Sequence, residues 1–152
     1  MKILVCISKT PDTTAKIAFT DNNTKFDSNG VQYIINPNDE YYSLVRAVEI
    51  KEAQPDTTVH LISVGTADND AIIRKALAIG GDEAIRINAS ELDSFGIAAN
   101  IAQVAKEGAY DLIFLGKETI DYNGGSIGGM VAELLDLPFV SLATKFDLTG
   151  TI

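Results

Sequence analysis

The chain has 152 residues, 46% of them hydrophobic and 22% charged, which excludes intrinsic disorder and suits one globular domain over residues 1–152. Twelve Lys and Arg against 21 Asp and Glu give a net charge of −9, which speaks against nucleic-acid backbones and anionic membrane surfaces as partners. A single cysteine, Cys6, and a single histidine, His60, exclude an intrachain disulfide, a multi-cysteine zinc site and a paired-histidine motif. Met1 to Ser8 is too short for a signal peptide, and no apolar run approaches the ~18 residues of a membrane span. The expected setting is cytoplasmic, without membrane insertion.

In chain order, Ile3-Leu4-Val5-Cys6-Ile7 is a continuous apolar run, the pattern of a strand buried on both faces. Residues 15–35 alternate loosely around turn residues at Asp21-Asn22-Asn23 and Asn29-Gly30, which predicts a β-hairpin excursion. Asn36-Pro37-Asn38-Asp39 opens a helix through Asn and Asp caps, with Tyr41, Leu44, Val45 and Val48 as its apolar face. A second buried strand spans 58–65, and a helix over 68–78 turns Ile72, Ile73, Ala76 and Leu77 inward before Gly80-Gly81 stops it. Then come a short strand at 84–87 and a helix capped by Ser94, which carries Ile97, Ala98, Ile101, Val104 and Ala105 and ends at Gly108. Leu112-Ile113-Phe114-Leu115 is a further strand, and a glycine-rich turn leads from it to a helix bearing Ile127, Met130, Val131 and Leu134. Leu137-Pro138-Phe139-Val140 starts a last strand, and another begins over 143–148, so the chain's end reads as an interrupted element.

Strands alternating with helices predict an α/β fold: a doubly wound, mostly parallel sheet with helices on both faces, Rossmann-like and suited to an adenine nucleotide. In such sheets ligands sit beyond the carboxyl ends of the strands, where strand order reverses. The loops there are 8–12, 64–68 and 116–125. Gly124, Gly125, Gly128 and Gly129 surround one helix start and let backbone N–H groups approach a phosphate. A flexible turn with close helix packing is the other reading of the same glycines. The loop is not a P-loop, because Glu118 follows Gly116-Lys117 and Asp111 stands where a glycine is required, and no G-x-G occurs for a dinucleotide fingerprint. His60 sits inside a strand with no nucleophile near it, Cys6 suits a buried inert thiol, and Asp39, Glu40 and Asp121 are explained by capping and solvation. These residues offer a nucleotide cradle and no catalytic engine.

The order of the pieces resembles the β subunit of electron transfer flavoproteins. The resemblance starts at Ile3-Leu4-Val5-Cys6-Ile7-Ser8-Lys9 and continues through Ile35-Asn36-Pro37-Asn38-Asp39-Glu40 and Arg74-Lys75-Ala76-Leu77-Ala78-Ile79-Gly80-Gly81-Asp82. Its most specific part is Leu115-Gly116-Lys117-Glu118-Thr119-Ile120-Asp121, followed by the glycine loop and Leu135-Asp136-Leu137-Pro138. The resemblance implies a non-catalytic electron-carrier subunit that binds AMP. Its implied partners are an α subunit carrying the redox FAD, acyl-CoA or other dehydrogenases, and a downstream acceptor. Carried over residue by residue, the AMP pocket falls on Cys6, Asn36, Pro37, Asn38, Asp39 and Val64. It continues through Tyr122, Asn123, Gly124, Gly125, Ser126, Ile127, Gly128, Gly129, Met130 and Val131, as far as Glu133.

The family chain continues through an Asp-Gly-Gly strand region and a dehydrogenase-docking loop that this sequence does not contain. Electron-bifurcating members hold a second FAD in place of AMP, with a loop reading Asp-Gly-Asp-Thr-Ala-Gln. Asp121-Tyr122-Asn123-Gly124-Gly125-Ser126 matches neither form, so AMP is the first expectation and FAD the second. A stand-alone ATP-binding stress protein would need a Gly-Ser or Gly-Thr downstream of Gly125 and Gly128, where Pro138 stands instead. An ATP-using adenylating enzyme would need a Ser-Gly-Gly-x-Asp-Ser loop or paired histidines, and neither is present.

Overall fold

The computed structural model of the chain describes residues 1–149. Its elements are β1 (Lys2–Cys6), β2 (Lys9–Pro11), β3 (Phe19–Thr20), β4 (Lys25–Phe26), β5 (Tyr33–Ile35), α1 (Asp39–Ala53) and β6 (Thr58–Val64). A 3₁₀ turn at Ala67–Asn69 then leads to α2 (Asp70–Ile79), β7 (Glu83–Ile87), α3 (Ser94–Gly108), β8 (Leu112–Phe114) and α4 (Ile127–Leu135).

Four of the strands make one parallel sheet in the order β7-β6-β1-β8. Leu4 stands between His60 on one side and Ile113 on the other. Successive side chains of β1 go to opposite faces. Ile3, Val5 and Ile7 pack with Leu44, Ala47 and Ile50 of α1 and Ile72, Ile73 and Ala76 of α2. Leu4 and Cys6 pack with Ala98, Ile101 and Ala105 of α3 and Val131 of α4. Two helices on each face make the fold α/β and doubly wound, and both-sided burial is why β1 shows no polar alternation. Each fully buried Ile, Leu or Val of this kind contributes about 1.5–3 kcal/mol from leaving water. The chain winds from β1 outward to β7 and then crosses to the far side of β1, so strand order reverses between β1 and β8.

The excursion between β1 and α1 is larger than residues 15–35. It is a nested antiparallel pair, with β2 on β5 (Lys9↔Ile35) and β3 on β4 (Phe19↔Phe26). Asp21, Asn22 and Asn23 all take positive φ at its tip, which short polar side chains tolerate best. The buried face of α1 is Glu40, Leu44, Ala47 and Ile50, while Tyr41 is exposed and Val45 and Val48 are half-buried. Ser94 does not cap α3. Asp93 does, accepting from the Gly96 N–H at 2.7 Å. At α1 the N-cap residue is Asn38, at φ 64, and it makes no side-chain capping bond.

The two strands expected after α4 do not form. Asp136 ends α4 in the left-handed region (φ 54), and the following residues pair with no strand, leaving Phe139, Val140 and Leu142 exposed. Residues 143–148 cross toward α1 instead. Arg46 donates from Nε and Nη2 to the Phe146 carbonyl at 3.1 and 2.9 Å, and the Phe146 ring meets Phe114 edge-on at 5.4 Å. An apolar stretch becomes a strand only where a sheet edge takes up its backbone groups. Here side chains anchor it to α1 and β8 instead. Among the described residues, no helix is long and apolar enough to cross a membrane.

Candidate functional site

The reversal point between β1 and β8 is held together by three polar side chains from the turn into α1 and its first residues. Asn36 is fully buried, donates from Nδ2 to the Glu118 carbonyl at 2.9 Å and accepts from the Ile120 N–H at 3.0 Å. It therefore acts as a piece of backbone, pairing both ways with the loop that follows β8. Asp39 accepts from the Glu118 N–H at 3.3 Å. Glu40, 5% exposed, takes the Ser8 N–H on Oε2 and the Ser8 hydroxyl on Oε1, the latter at 2.8 Å. Gly116 lets α1 come this close, because a Cβ there would stand 2.7 Å from the Glu40 Cγ and 3.1 Å from the Asp39 Cβ.

The electrostatics of the cluster are one-sided. Burial pushes the Glu40 carboxyl up to about 7, against the two Ser8 hydrogen bonds, with Asp39 and Asp121 adding to the rise. Lys117, in the loop after β8, is paired with Glu118 at 2.8 Å, a bond that raises its pKa. The Cys6 thiol, buried below the same point, is pushed far above its usual range by burial and by Glu40, so it stays neutral.

The glycine loop and the start of α4 lie beside this cluster. Gly125 sits at φ +62, a conformation that L side chains rarely adopt, and its nearest neighbour for a Cβ is the Lys117 carbonyl at 3.9 Å. Gly124 is similarly open, with only the Ser94 Oγ at 4.0 Å. Ser126, the N-cap of α4, makes no side-chain capping bond, so the first N–H groups of that helix have no side-chain acceptor. α3, by contrast, is closed by its own Asp93. An uncapped helix start behind an open, left-handed glycine loop is an arrangement that can receive an anion.

Residues 23–152 match the model of the electron transfer flavoprotein domain. The chain belongs to that family. It is 34% identical over 155 residues to the electron transfer flavoprotein subunit beta of Bacillus subtilis, an alignment covering 99% of this chain and 59% of that protein. The corresponding subunits of Thermoanaerobacterium thermosaccharolyticum and Homo sapiens are each 31% identical, over 99% of this chain and 58% and 60% of their own lengths. The chain thus spans about three-fifths of the length of these relatives.

In this electron transfer flavoprotein chain, the expected site residues do not fall in one place. Asn36 and Asp39 are at the reversal point, as part of the clamp on the loop after β8. Tyr122, Asn123, Gly124 and Gly125 form the open loop, with Tyr122 88% exposed, and Ser126, Ile127, Gly128 and Gly129 begin α4. The side chains of Cys6, Ile127, Met130 and Val131 are turned into the core against α3, so what they can offer a ligand is backbone or shape. Pro37 and Asn38 line a separate groove of about 420 Å³ with Ile34, Tyr41, Tyr42 and Lys75, and Val64 ends β6, one strand away from β1.

Two features escaped the sequence reading. Glu40 and Ser8 form a part-buried polar contact at the site, and the one signal for it is that Glu40 lies four residues before Leu44 on a buried stripe. Phe139 stands over the start of α4, its Cε2 only 3.2 Å from where a Gly128 Cβ would be. A side chain at Gly128 would therefore press on the half-exposed Phe139 ring.

Proposed function

We propose that this electron transfer flavoprotein chain is a β-type subunit that holds AMP rather than turning over a substrate. In this reading the phosphate rests on the N–H groups around Gly125, Ser126, Ile127 and Gly128, and the adenine lies toward Cys6 and the Asn36–Asp39 turn. The observation that carries it is the uncapped start of α4 behind Gly125 at φ +62, beside the strand-order reversal. The subunit pairs with an α subunit carrying the redox FAD. The pair takes electrons from acyl-CoA or other dehydrogenases to a downstream acceptor in the cytoplasm. The flavin supplies the electron chemistry. This chain's residues bind and orient the nucleotide, and support the partner.

The test is to denature the purified protein and identify the nucleotide released, then to titrate the stripped protein with AMP by calorimetry. AMP release and one-to-one rebinding are expected. Released FAD would move the assignment to a second flavin in the same cleft, and AMP hydrolysis or adenylate transfer would overturn the carrier role.

A further inference from the structure

We propose that Ser8 and Glu40 are a proton-linked donor pair for the nucleotide cleft: as the nucleotide binds, Glu40 takes one proton from solvent and donates it in a hydrogen bond to Ser8 Oγ, which turns the Ser8 hydroxyl hydrogen toward the ligand. This rests on the nucleotide reading above and adds a positioning role for two residues to which that reading gives none.

The argument is one of donors and acceptors. An ionised carboxylate only accepts, and a serine hydroxyl has a single hydrogen. With Glu40 ionised, that hydrogen is committed to Oε1 at 2.8 Å while the Ser8 N–H is committed to Oε2. With Glu40 neutral, its O–H becomes the donor, Ser8 Oγ accepts, and the carbonyl oxygen of the acid still takes the Ser8 N–H. The contact survives, and one hydroxyl hydrogen is released at the half-buried carboxyl end of β1.

The surroundings make the neutral form accessible. Among the described residues no Lys, Arg or His forms an ion pair with Glu40. From β2, Lys9 is held by Asp68 at 3.6 Å and lies over the Tyr33 ring at 4.5 Å. From the loop after β8, Lys117 is held by Glu118, and Asp121 adds repulsion, as does Asp39 from α1 itself. From β1, Cys6 presents a neutral thiol. Glu40 accordingly titrates near neutrality. An anionic nucleotide would add negative charge and displace the remaining water, and both effects favour the protonated acid.

The experiment is calorimetric titration with AMP in buffers of different ionisation enthalpy, on wild-type protein and on Glu40→Gln. The amide of that variant imitates the neutral acid, accepting from the Ser8 N–H and donating to Oγ. Wild type is expected to take up about 0.5–1 proton per AMP near pH ~8, and to lose affinity about three- to tenfold per pH unit above pH ~7. Glu40→Gln should take up none and bind with affinity flat over that range, where the nucleotide phosphate (second pKa about 6) no longer titrates. Ser8→Ala should weaken AMP about 2- to 12-fold, the loss of one hydrogen bond. A carboxyl ¹³C titration of Glu40, with and without AMP, gives the same result without a variant: the midpoint should rise when AMP is bound. Binding without proton uptake, with Glu40→Gln parallel to wild type, overturns this inference and leaves the AMP assignment standing. No AMP binding at any pH overturns both.

Discussion

Replacing Asn36 by Ala removes the one side chain that pairs both ways with the loop after β8. The Glu118 carbonyl at 2.9 Å and the Ile120 N–H at 3.0 Å both lose their partner, in a position where Asn36 itself has no solvent exposure. A buried backbone group left unpaired costs about 1–3 kcal/mol. Glu118 is only half-buried and Ile120 is exposed, so water reaches part of the loop and the lower half of that range applies to each group. The sum is about 2–4 kcal/mol, against a total stability of about 5–15 kcal/mol for a domain of this kind. Urea unfolding should show that loss as a lower midpoint with an unchanged slope, and the melting temperature should fall by roughly 5–12 °C. Hydrogen exchange localises the effect: the Ile120 amide should lose protection first, while amides in the middle of β1 follow only the global stability change. Asn36→Asp should fall near the alanine variant, since a carboxylate keeps the bond from Ile120 but faces the Glu118 carbonyl with an acceptor. A loss below about 1 kcal/mol, with Ile120 protection unchanged, would refute the clamp.

Gly116→Ala should destabilise by about 1–3 kcal/mol, because its Cβ would stand 2.7 Å from Glu40 Cγ and push the start of α1 away from β8; chemical denaturation measures this. Gly128→Val should abolish detectable AMP binding in calorimetry and also lower stability by about 1–2 kcal/mol, since a branched side chain displaces Phe139, which already lies 3.2 Å from a Cβ at that position. For Glu40, the folded-state pKa is raised above its ordinary value of 4.5 to about 7, so folding favours the protonated acid. Its neutral form is compatible with the fold below the unfolded pKa, and stability is lost as pH rises from about 4.5 through 7. Glu40→Gln should therefore match wild type near pH ~4 and exceed it by about 3 kcal/mol near pH ~8, read from denaturant midpoints at both values. Asp82 contributes in the opposite sense: Lys51 and the Val59 N–H hold its carboxyl below the ordinary value, so its share is present above that value and is lost as pH falls. Asp82→Asn should weaken the pH dependence on the acid side alone.

Periodicity carried the elements whose burial is local and uniform. The unbroken apolar run of β1, the mostly apolar β6 and the inward stripes Ile72-Ile73-Ala76 and Ala98-Ile101-Ala105 were legible because a strand or helix that covers one core face repeats that face in its sequence. The alternation of strands and helices was enough for a doubly wound sheet. Contacts between residues far apart in the chain were not legible. Asn36 meets Ile120 across 84 positions and Ser8 meets Glu40 across 32, and no spacing rule links such pairs. Glu40 read as a solvated helix-start acid because a first turn normally faces water; here Gly116 brings β8 against it. The stretch after α4 shows the same limit from the other side. Its apolar residues satisfy a strand's local requirements, but a strand exists only when a neighbouring edge accepts its hydrogen bonds. In this fold Arg46 and Phe114 hold Phe146 against α1 and β8, so tertiary contacts decided what local preference left open.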